Sequence, residues 1–290
     1  MSDPIVSAII VNYESAGDLE RCLRALGGQR GAGLEAIAID HSASDDLRGI
    51  DERFPWVRVA RQRNAGFAAG VNRGAAMARG KYLLVLNPDV VVGDGAVDTL
   101  ARWMDLNPAV AVAGPRILDK DGSLEHSARR FPDLSTALAG RSAWLTRRLP
   151  RNPLSRRNLA ASWATEPVET DWVSGACMMI RADAFREVGG MDEGFFLYWE
   201  DADLCRRLRA RGWRTAYVPD AQAVHLGGRS SRAAPLRAAV AFHCSVLRYY
   251  VKHGGRAAKL ATPLVVLALS LRLLTRLPSI AVQKLSDRGG

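Results

Sequence analysis

The chain alternates between short apolar runs and longer stretches in which apolar residues recur every three or four positions. The runs are rich in β-branched residues, as in IVSAIIVNY, and predict buried strands. Leu19, Cys22, Leu23 and Leu26 have helical spacing. This alternation is typical of βαβ units, so the sequence predicts an α/β protein with a mostly parallel, Rossmann-like central sheet flanked by helices. Strands are expected at 5–13, 34–40, 56–60, 82–86, 109–118 and 215–219, and helices at 18–26, 67–79, 182–188, 200–211 and from 235 onward.

Charge divides the chain into two parts. From residue 206 onward, 16 Lys and Arg residues face two acids, whereas the preceding 205 residues hold 24 basic and 28 acidic residues. This asymmetry predicts an anionic partner such as a membrane surface, nucleic acid or a phosphorylated substrate. We expect a domain at 1–232, which contains an Arg-rich loop at 129–160, and a basic helical extension at 233–290. The four cysteines form no CxxC pair and are expected to be buried thiols.

The extension contains the apolar stretch ATPLVVLALSLRLLTRLPSIAV at 261–282. Its apolar core ends at Arg272 after about ten residues, whereas a spanning helix needs roughly 20. The stretch therefore predicts a basic, apolar helix in the membrane interface rather than a transmembrane span. Docking of this helix onto the domain, or onto a second copy in a homodimer, is the alternative.

The stretch KYLLVLNPDVVV interrupts an apolar strand with a proline and a carboxylate. Pro88 has no N–H, so the hydrogen-bond ladder should stop near Asn87 and leave Asp89 just beyond the strand. Ligands of open α/β sheets bind at that carboxyl end, where Asp40 terminates another predicted strand. A simple turn is the alternative, because Asn, Pro and Asp all favour turns.

Between these two acids lies NAGFAAGVNRG at 64–74, where glycines and asparagines lead into a helix. Backbone N–H groups and amide side chains at a helix start can cradle a diphosphate. The stretch matches neither the dinucleotide fingerprint nor the P-loop. Close packing of a small-residue helix on the sheet is the alternative.

A third stretch, FFLYWEDADLCRRLRARGW, places Glu200, Asp201 and Asp203 in the first turn of a helix and arginines in its last turn. That distribution complements the helix dipole. Aromatic residues beside carboxylates also exclude water and raise a carboxyl pKa, which suits a general base. Residues two apart do not share a helix face, so Asp201 and Asp203 should have different roles. His225, in AVHLGG a few residues after the last predicted strand, could partner Asp89.

Together these stretches resemble the family 2 glycosyltransferases of the GT-A fold, in particular their rhamnosyltransferase-like branch. The matching pieces cover roughly residues 5–230 and follow one another in the same order as in the family. The matching pieces are IIVNYES, AIDHSASDD, RNAGFAAGVNRG, LLVLNPDVVV, GPRILDKDGSLEHSAR, VSGACMMIRADAFREVGGMDEGFFLYWEDADLCRRL and AVHLGG.

The resemblance implies a role for each site residue. Asp89 and His225 would ligate a divalent cation, Mg²⁺ or Mn²⁺, and Asp201 would be the catalytic base. The acceptor side would be shaped by Trp199 and Glu200. The donor would be bound by Asn12, Glu14, Asp40, Asn64, Gly66, Asn72 and Asn87. The chain departs from the family pattern at His41, usually Asn, at Asn87, which replaces an acid, and at Glu200, often Asp.

The resemblance therefore predicts an inverting, metal-dependent transferase with a nucleotide-sugar donor, best matched by dTDP-rhamnose. The acceptor would be a polyprenyl-diphosphate-linked sugar or a growing cell-surface glycan, reached at the inner, cytoplasmic face of the cell membrane; nucleic acid is not expected as a partner. A nucleotidyltransferase is an alternative, but VNYESAGD lacks the Gly-rich basic loop expected after its first strand. The other alternative is a non-catalytic protein that binds anionic lipid or nucleic acid.

Overall fold

The structure, a computed structural model, describes residues 5–29, 33–43, 47, 49–131, 158–227 and 235–286. The strands are β1 (Val6–Asn12), β2 (Leu34–Asp40), β3 (Val57–Arg61), β4 (Tyr82–Leu86), β5 (Val90–Val92), β6 (Val110–Asp119), β7 (Leu124–Glu125), β8 (Ala128–Arg129), β9 (Val168–Thr170), β10 (Trp172–Val173), β11 (Cys177–Arg181) and β12 (Arg214–His225). The helices are α1 (Ala16–Gly27), α2 (Ile50–Arg53), α3 (Phe67–Met77), α4 (Ala96–Leu106), α5 (Ala182–Glu187), α6 (Glu200–Arg209), α7 (Pro235–His253), α8 (Arg256–Leu260) and α9 (Thr262–Ser286).

The main sheet has the strand order β3-β2-β1-β4-β11-β6-β12-β5. Strands β3, β2, β1 and β4 are parallel, and β6 is parallel to β12. Strand β11 runs antiparallel to both of its neighbours, and β5 closes the edge antiparallel to β12. The carboxyl ends of β1, β2 and β4 therefore meet at one edge, as the sequence predicts.

Helices cover both faces of the sheet, which explains its continuous apolar strands. Every residue of β1, β2 and β4 is buried. On one face α1 and α4 contribute Leu23 and Leu100 to the core, and on the other α3, α5 and α6 contribute Val71, Phe185 and Leu204.

The last strand differs from its prediction. It extends past Pro219 to His225, with an irregularity between Val218 and Gln222 where its pairing with β6 slips. Pro219 cannot donate to the ladder, which explains the slip. Pairing then resumes, so His225 is the last residue of β12 rather than a residue beyond it.

The basic extension packs on the domain. Helix α7 buries His243, Ser245 and Tyr249, and α9 lies against α7. Cys244 is exposed on α7 whereas the other three cysteines are buried, so the prediction of four buried thiols is wrong at this position. No helix in the described ranges combines the length and apolar content needed to cross a bilayer. Residues 132–157 of the Arg-rich loop lie outside the described residues.

Candidate active site

The Asn-Pro-Asp turn ends β4 at Leu86 and sends the chain to the edge strand β5. Val90 pairs there with His225, and the N–H of Leu226 donates to the backbone oxygen of Asp89 at 2.9 Å. This pairing brings Nε2 of His225 to 3.2 Å from Oδ1 of Asp89. The two residues predicted as metal ligands are therefore adjacent.

A second carboxylate lies on the other side of the His225 ring. Nδ1 of His225 is 2.8 Å from Oε2 of Glu125, a residue of β7 that is 6% exposed. Burial disfavours the charged imidazole, but hydrogen bonds and charge from Asp89 and Glu125 outweigh it and raise the pKa of His225 to about 10. The position between the two acids thus strongly favours positive charge.

Asp201 lies in the first turn of α6 and is fixed by backbone donors. Its Oδ2 accepts from the N–H of Gly175 at 2.9 Å, and its Oδ1 accepts from the N–H of Ala202 at 2.8 Å. Burial raises the pKa of Asp201, although these two donors and the charge of Arg129 oppose the rise. A carboxylate with a raised pKa is suited to accept a proton near neutral pH.

The segment 174–176 connects the parts of the site. The N–H of Asn87 donates to the oxygen of Ala176 at 2.9 Å, and the N–H of Ser174 donates to the oxygen of Ser127 at 2.9 Å. Because Gly175 between them holds Asp201, this short segment joins the Asn-Pro-Asp turn, Asp201 and the turn that follows Glu125.

Glu125, Arg129 and Gly175 were not predicted as site residues from the sequence. All three belong to stretches, GPRILDKDGSLEHSAR and VSGACMMIR, that carry the family resemblance. Residue type offered no further signal, since an isolated Glu or Arg in a polar segment is usually solvated.

Glu200 and Asp203 have opposite electrostatic surroundings. Glu200 is 5% exposed, and its Oε2 has no hydrogen-bond partner among the described residues. Burial, reinforced by the charge of Asp201, raises the pKa of Glu200 well above its usual range. Burial also opposes ionisation of Asp203, but hydrogen bonds from His253, Lys252 and Arg207 prevail and lower its pKa. The surroundings of Asp201 and Asp203 also differ, since the pKa of Asp201 is raised and that of Asp203 is lowered; their different roles stay a prediction.

Three predicted donor residues meet at the ends of β1 and β2. Nδ2 of Asn12 donates to Oδ1 of Asp40 at 3.1 Å, and the N–H of Ser42 donates to the same oxygen at 3.0 Å. Oε1 of Glu14 accepts from the N–H of Ala43 at 3.0 Å, which closes the loop after β2 over the end of β1.

His41 is packed beneath α3. A Cβ added at Gly70 would lie 3.0 Å from its Cε1, and Nε2 of the ring is 2.7 Å from Nε2 of Gln62. Burial lowers the pKa of His41, even though the charge of Asp40 opposes this, so the ring is neutral at pH 7. The departure from asparagine at this position is thus accommodated by packing against the helix.

Two N–H groups at the start of α3 bind acceptors within the protein. The N–H of Gly66 donates to Oδ1 of Asn64 at 3.1 Å, and the N–H of Phe67 donates to the oxygen of Phe196 at 2.8 Å. Gly66 has φ 102°, and a Cβ there would lie 2.5 Å from the Phe196 oxygen. These two N–H groups bind protein acceptors, so they are not available to a diphosphate, and Gly66 serves a close backbone approach.

Asn72 points to a different part of the chain. Its Nδ2 donates to the oxygen of Met191 and to Oε1 of Glu193, both at 2.9 Å, and its Oδ1 accepts from the N–H of Met191. The structure therefore does not join Asn72 to Asn12 and Asp40, and its donor role stays a prediction.

Comparison with known proteins identifies the family. The model described as "Glycosyltransferase like family 2" matches residues 4–241. The chain belongs to glycosyltransferase family 2. It is 32% identical over 269 residues, 87% of this chain and 86% of the relative, to the N-acetylglucosaminyl-diphospho-decaprenol L-rhamnosyltransferase of Mycobacterium tuberculosis.

Solved structures show the fold of this glycosyltransferase. The crystal structure of GalNAc-T7 with UDP, GalNAc and Mn²⁺ has a TM-score of 0.61 at 20% identity, over 86% of this chain and 48% of that one. The mannosyltransferase PcManGT from Pyrobaculum calidifontis, in complex with GDP-Man and Mn²⁺, has a TM-score of 0.56 at 18% identity, over 100% of this chain and 76% of that one. The fold is GT-A, as predicted.

The site of this glycosyltransferase fits a divalent cation. Oδ1 of Asp89 and Nε2 of His225 converge, and Nε2 is buried without a well-oriented hydrogen bond among the described residues. Among the described residues, no group of three or more His, Cys, Asp or Glu side chains is arranged to hold one metal ion. Substrate diphosphate oxygens and water would complete the coordination, as is usual for Mg²⁺ sites.

Substitution of Glu125 by Gln is expected to weaken Mn²⁺ binding roughly 10- to 100-fold, because partners of a ligating histidine orient it and raise its basicity. Isothermal titration of the protein with Mn²⁺ in the presence of dTDP measures the effect. Glu169→Gln is the matched control, since Glu169 pairs with Arg214 on the surface. Equal Mn²⁺ affinity in the Glu125 and Glu169 variants would contradict the orienting role.

Proposed function

We propose that this glycosyltransferase transfers L-rhamnose from dTDP-rhamnose to a polyprenyl-diphosphate-linked N-acetylglucosamine in polysaccharide biosynthesis, with inversion and dependence on Mg²⁺ or Mn²⁺. The reaction type is supported mainly by the geometry of the site. Hydrogen bonds of the segment 174–176 connect Asp201 to the Asn-Pro-Asp turn, where Asp89 and His225 are adjacent. The sugar and the acceptor rest on similarity to the mycobacterial rhamnosyltransferase over most of both chains.

Asp201 performs the proton transfer in this proposal. An acceptor hydroxyl attacks the anomeric carbon, the bond from that carbon to the diphosphate oxygen breaks, and the hydroxyl proton passes to the Asp201 carboxylate. A single base and a single displacement invert the anomeric centre. The Gly175 and Ala202 N–H groups hold the carboxylate in place before the substrate binds.

Asp89 and His225 would hold the cation on the donor side. A bound divalent cation neutralises the charge that develops on the departing nucleoside diphosphate. Glu125 orients the imidazole so that Nε2 faces Asp89. We assign contact with the nucleoside to Asn12 and Asp40, which hydrogen-bond each other at the ends of the neighbouring strands.

A donor screen tests this function. Purified protein with Mn²⁺ or Mg²⁺ is incubated with dTDP-rhamnose, UDP-sugars and GDP-sugars, with or without a short-chain N-acetylglucosaminyl-diphosphate lipid, and nucleoside diphosphate release is measured. We expect acceptor-dependent release from dTDP-rhamnose and a rhamnosylated product. Transfer from a UDP- or GDP-sugar alone would contradict the donor assignment, and binding of no nucleotide sugar would overturn the proposal.

A lipid-linked acceptor requires access to the membrane, and the extension offers a surface for it. Leucines exposed by more than half recur every three or four residues along α9, which places them on one side of this helix: Leu264, Leu267, Leu271 and Leu274. Exposed basic residues accompany them at Arg256 and Lys259. We place this leucine face in the anionic inner surface of the cell membrane.

The double variant Leu267→Asp, Leu271→Asp is expected to bind phosphatidylglycerol-containing vesicles more than about tenfold more weakly, because each buried leucine contributes roughly 1.5–3 kcal/mol. Co-sedimentation measures binding. Leu106→Asp, at an 81% exposed leucine on α4, is the control. Unchanged vesicle binding together with loss of a dimer in analytical ultracentrifugation would instead assign the face to a second copy.

A further inference from the structure

The loop that precedes α6, the helix that carries the candidate base Asp201, has a sterically unfavourable backbone. Tyr198 and Trp199, directly before α6, have φ values of 70° and 72°. Bulky residues in the left-handed region persist only where the surrounding structure holds them. Since Trp199 is the residue from which α6 begins, this conformation sets the direction in which Asp201 leaves the loop.

Helix α7 holds this loop directly. Oγ of Ser245 donates to the backbone oxygen of Leu197 at 2.9 Å. The ring of Phe242 lies 5.8 Å from that of Tyr198, and the ring of Tyr249 lies 5.2 Å from that of Trp199. Both residues with positive φ are therefore packed against the extension.

Ion pairs from α7 hold the loop 192–199 at its first residue, Asp192. They also hold α6 at Asp203, two residues after the candidate base. Nζ of Lys252 lies 2.6 Å from Oδ2 of Asp192 and 2.7 Å from Oδ1 of Asp203, so one lysine joins the two ends. Arg248 lies 2.8 Å from Asp192, and Nε2 of His253 lies 2.7 Å from Asp203, which is fully buried.

Asp192 also organises the loop itself. Its Oδ1 accepts from the N–H of Gly194 at 2.9 Å. On the opposite side of the loop, the start of α3 binds the Phe196 oxygen. The loop is thus held between the donor-side helix and α7.

We infer that α7 is a positioning element of the active site, in which Lys252 and Ser245 hold residues 192–203 so that Asp201 faces the acceptor hydroxyl. The inference rests on the proposed function, since it assigns Asp201 to the acceptor. The residues that make these contacts, 242–253, lie beyond the family match, which ends at residue 241. The basic extension therefore contributes to the transfer step as well as to the charge of the protein.

Lys252→Met tests the inference, because it retains the apolar stem and removes both ion pairs. We expect kcat for transfer to the acceptor to fall about tenfold or more, since small displacements of a reacting group cost up to about 100-fold. The Kd for dTDP-rhamnose and the slow hydrolysis of the donor should stay at wild-type values. Hydrogen–deuterium exchange of the peptide 192–200 should become faster, and Lys252→Arg should restore both kcat and protection.

Lys120→Met is the matched control for the loss of one positive charge, because Lys120 is exposed in the turn after β6 and forms no ion pair among the described residues. Ser245→Ala removes only the hydrogen bond to Leu197. If Lys252→Met does not fold, this variant tests whether contacts from α7 are needed for transfer. Wild-type kcat in both variants, or a parallel loss of donor binding, would overturn the inference. Absence of transfer by the wild-type protein would instead overturn the proposed function, and the exchange measurement would still report on the loop.

Discussion

Asp201→Asn is expected to reduce sugar transfer to the acceptor between about 10²- and 10⁴-fold, the usual contribution of a general base. The asparagine has the same shape, and its side-chain oxygen can still accept one of the hydrogen bonds from Gly175 and Ala202. It cannot take the acceptor proton. Donor binding, measured by titration calorimetry with dTDP-rhamnose, should therefore stay close to that of the wild type.

The pH dependence of transfer provides a second test of Asp201. Burial raises the pKa of this carboxyl, and only the ionised form accepts a proton. Transfer should therefore fall as the pH decreases through this raised pKa, at a higher pH than for an ordinary aspartate. Asp183→Asn, in the first turn of α5 and exposed, is the matched control. Transfer by Asp201→Asn within a few-fold of wild type would make Glu200 the next candidate for the base.

Asp89→Ala is expected to abolish Mn²⁺-dependent donor binding and to lower transfer by about 10³-fold or more, since a cation at a developing phosphate charge contributes several kcal/mol. The variant removes the only carboxylate beside Nε2 of His225 in the described chain, while Glu125 continues to hold Nδ1. Calorimetry with Mn²⁺ and dTDP, followed by transfer assays, measures the two effects.

Asp94→Ala is the control for Asp89→Ala, because Asp94 follows β5 in an exposed turn a few residues away. Thermal unfolding of both variants should remain near that of the wild type, since the sheet around Asp89 is held by backbone pairing. Mn²⁺-dependent binding of dTDP that survives in Asp89→Ala would show that the cation is held elsewhere.

The sequence was most informative where a local pattern has a direct physical cause. Strands β2 and β4 begin and end at the predicted residues, because a strand covered on both faces must be continuously apolar. Pro88 stops β4 since it lacks a ladder donor, and Asp40 and Asp89 follow at the carboxyl edge. The acid cluster that contains the candidate base was also visible in the sequence, as acids in a first helical turn after an aromatic run, and the family resemblance singled out Asp201.

The sequence predicted that His225 lies near Asp89, but it did not predict the other partners of these residues. His225 contacts Glu125, 100 residues earlier in the chain, and the contact depends on β12 continuing past Pro219 along β6 and on β7 pairing with β6. The donors at the start of α3 likewise appeared free for a phosphate, although the loop at Phe196 occupies one of them.

The sequence by itself determined the α/β class and the edge of the sheet at which Asp40 and Asp89 lie, because these follow from hydrophobic periodicity and turn chemistry within a few residues. Tertiary structure decided which residues meet. Lys252 bridges Asp192 and Asp203 across 60 and 49 positions of the chain, and no local pattern encodes such a contact. A buried charge must find its partner through the packing of whole elements, so only the folded arrangement of α6 and α7 shows how the candidate base is held.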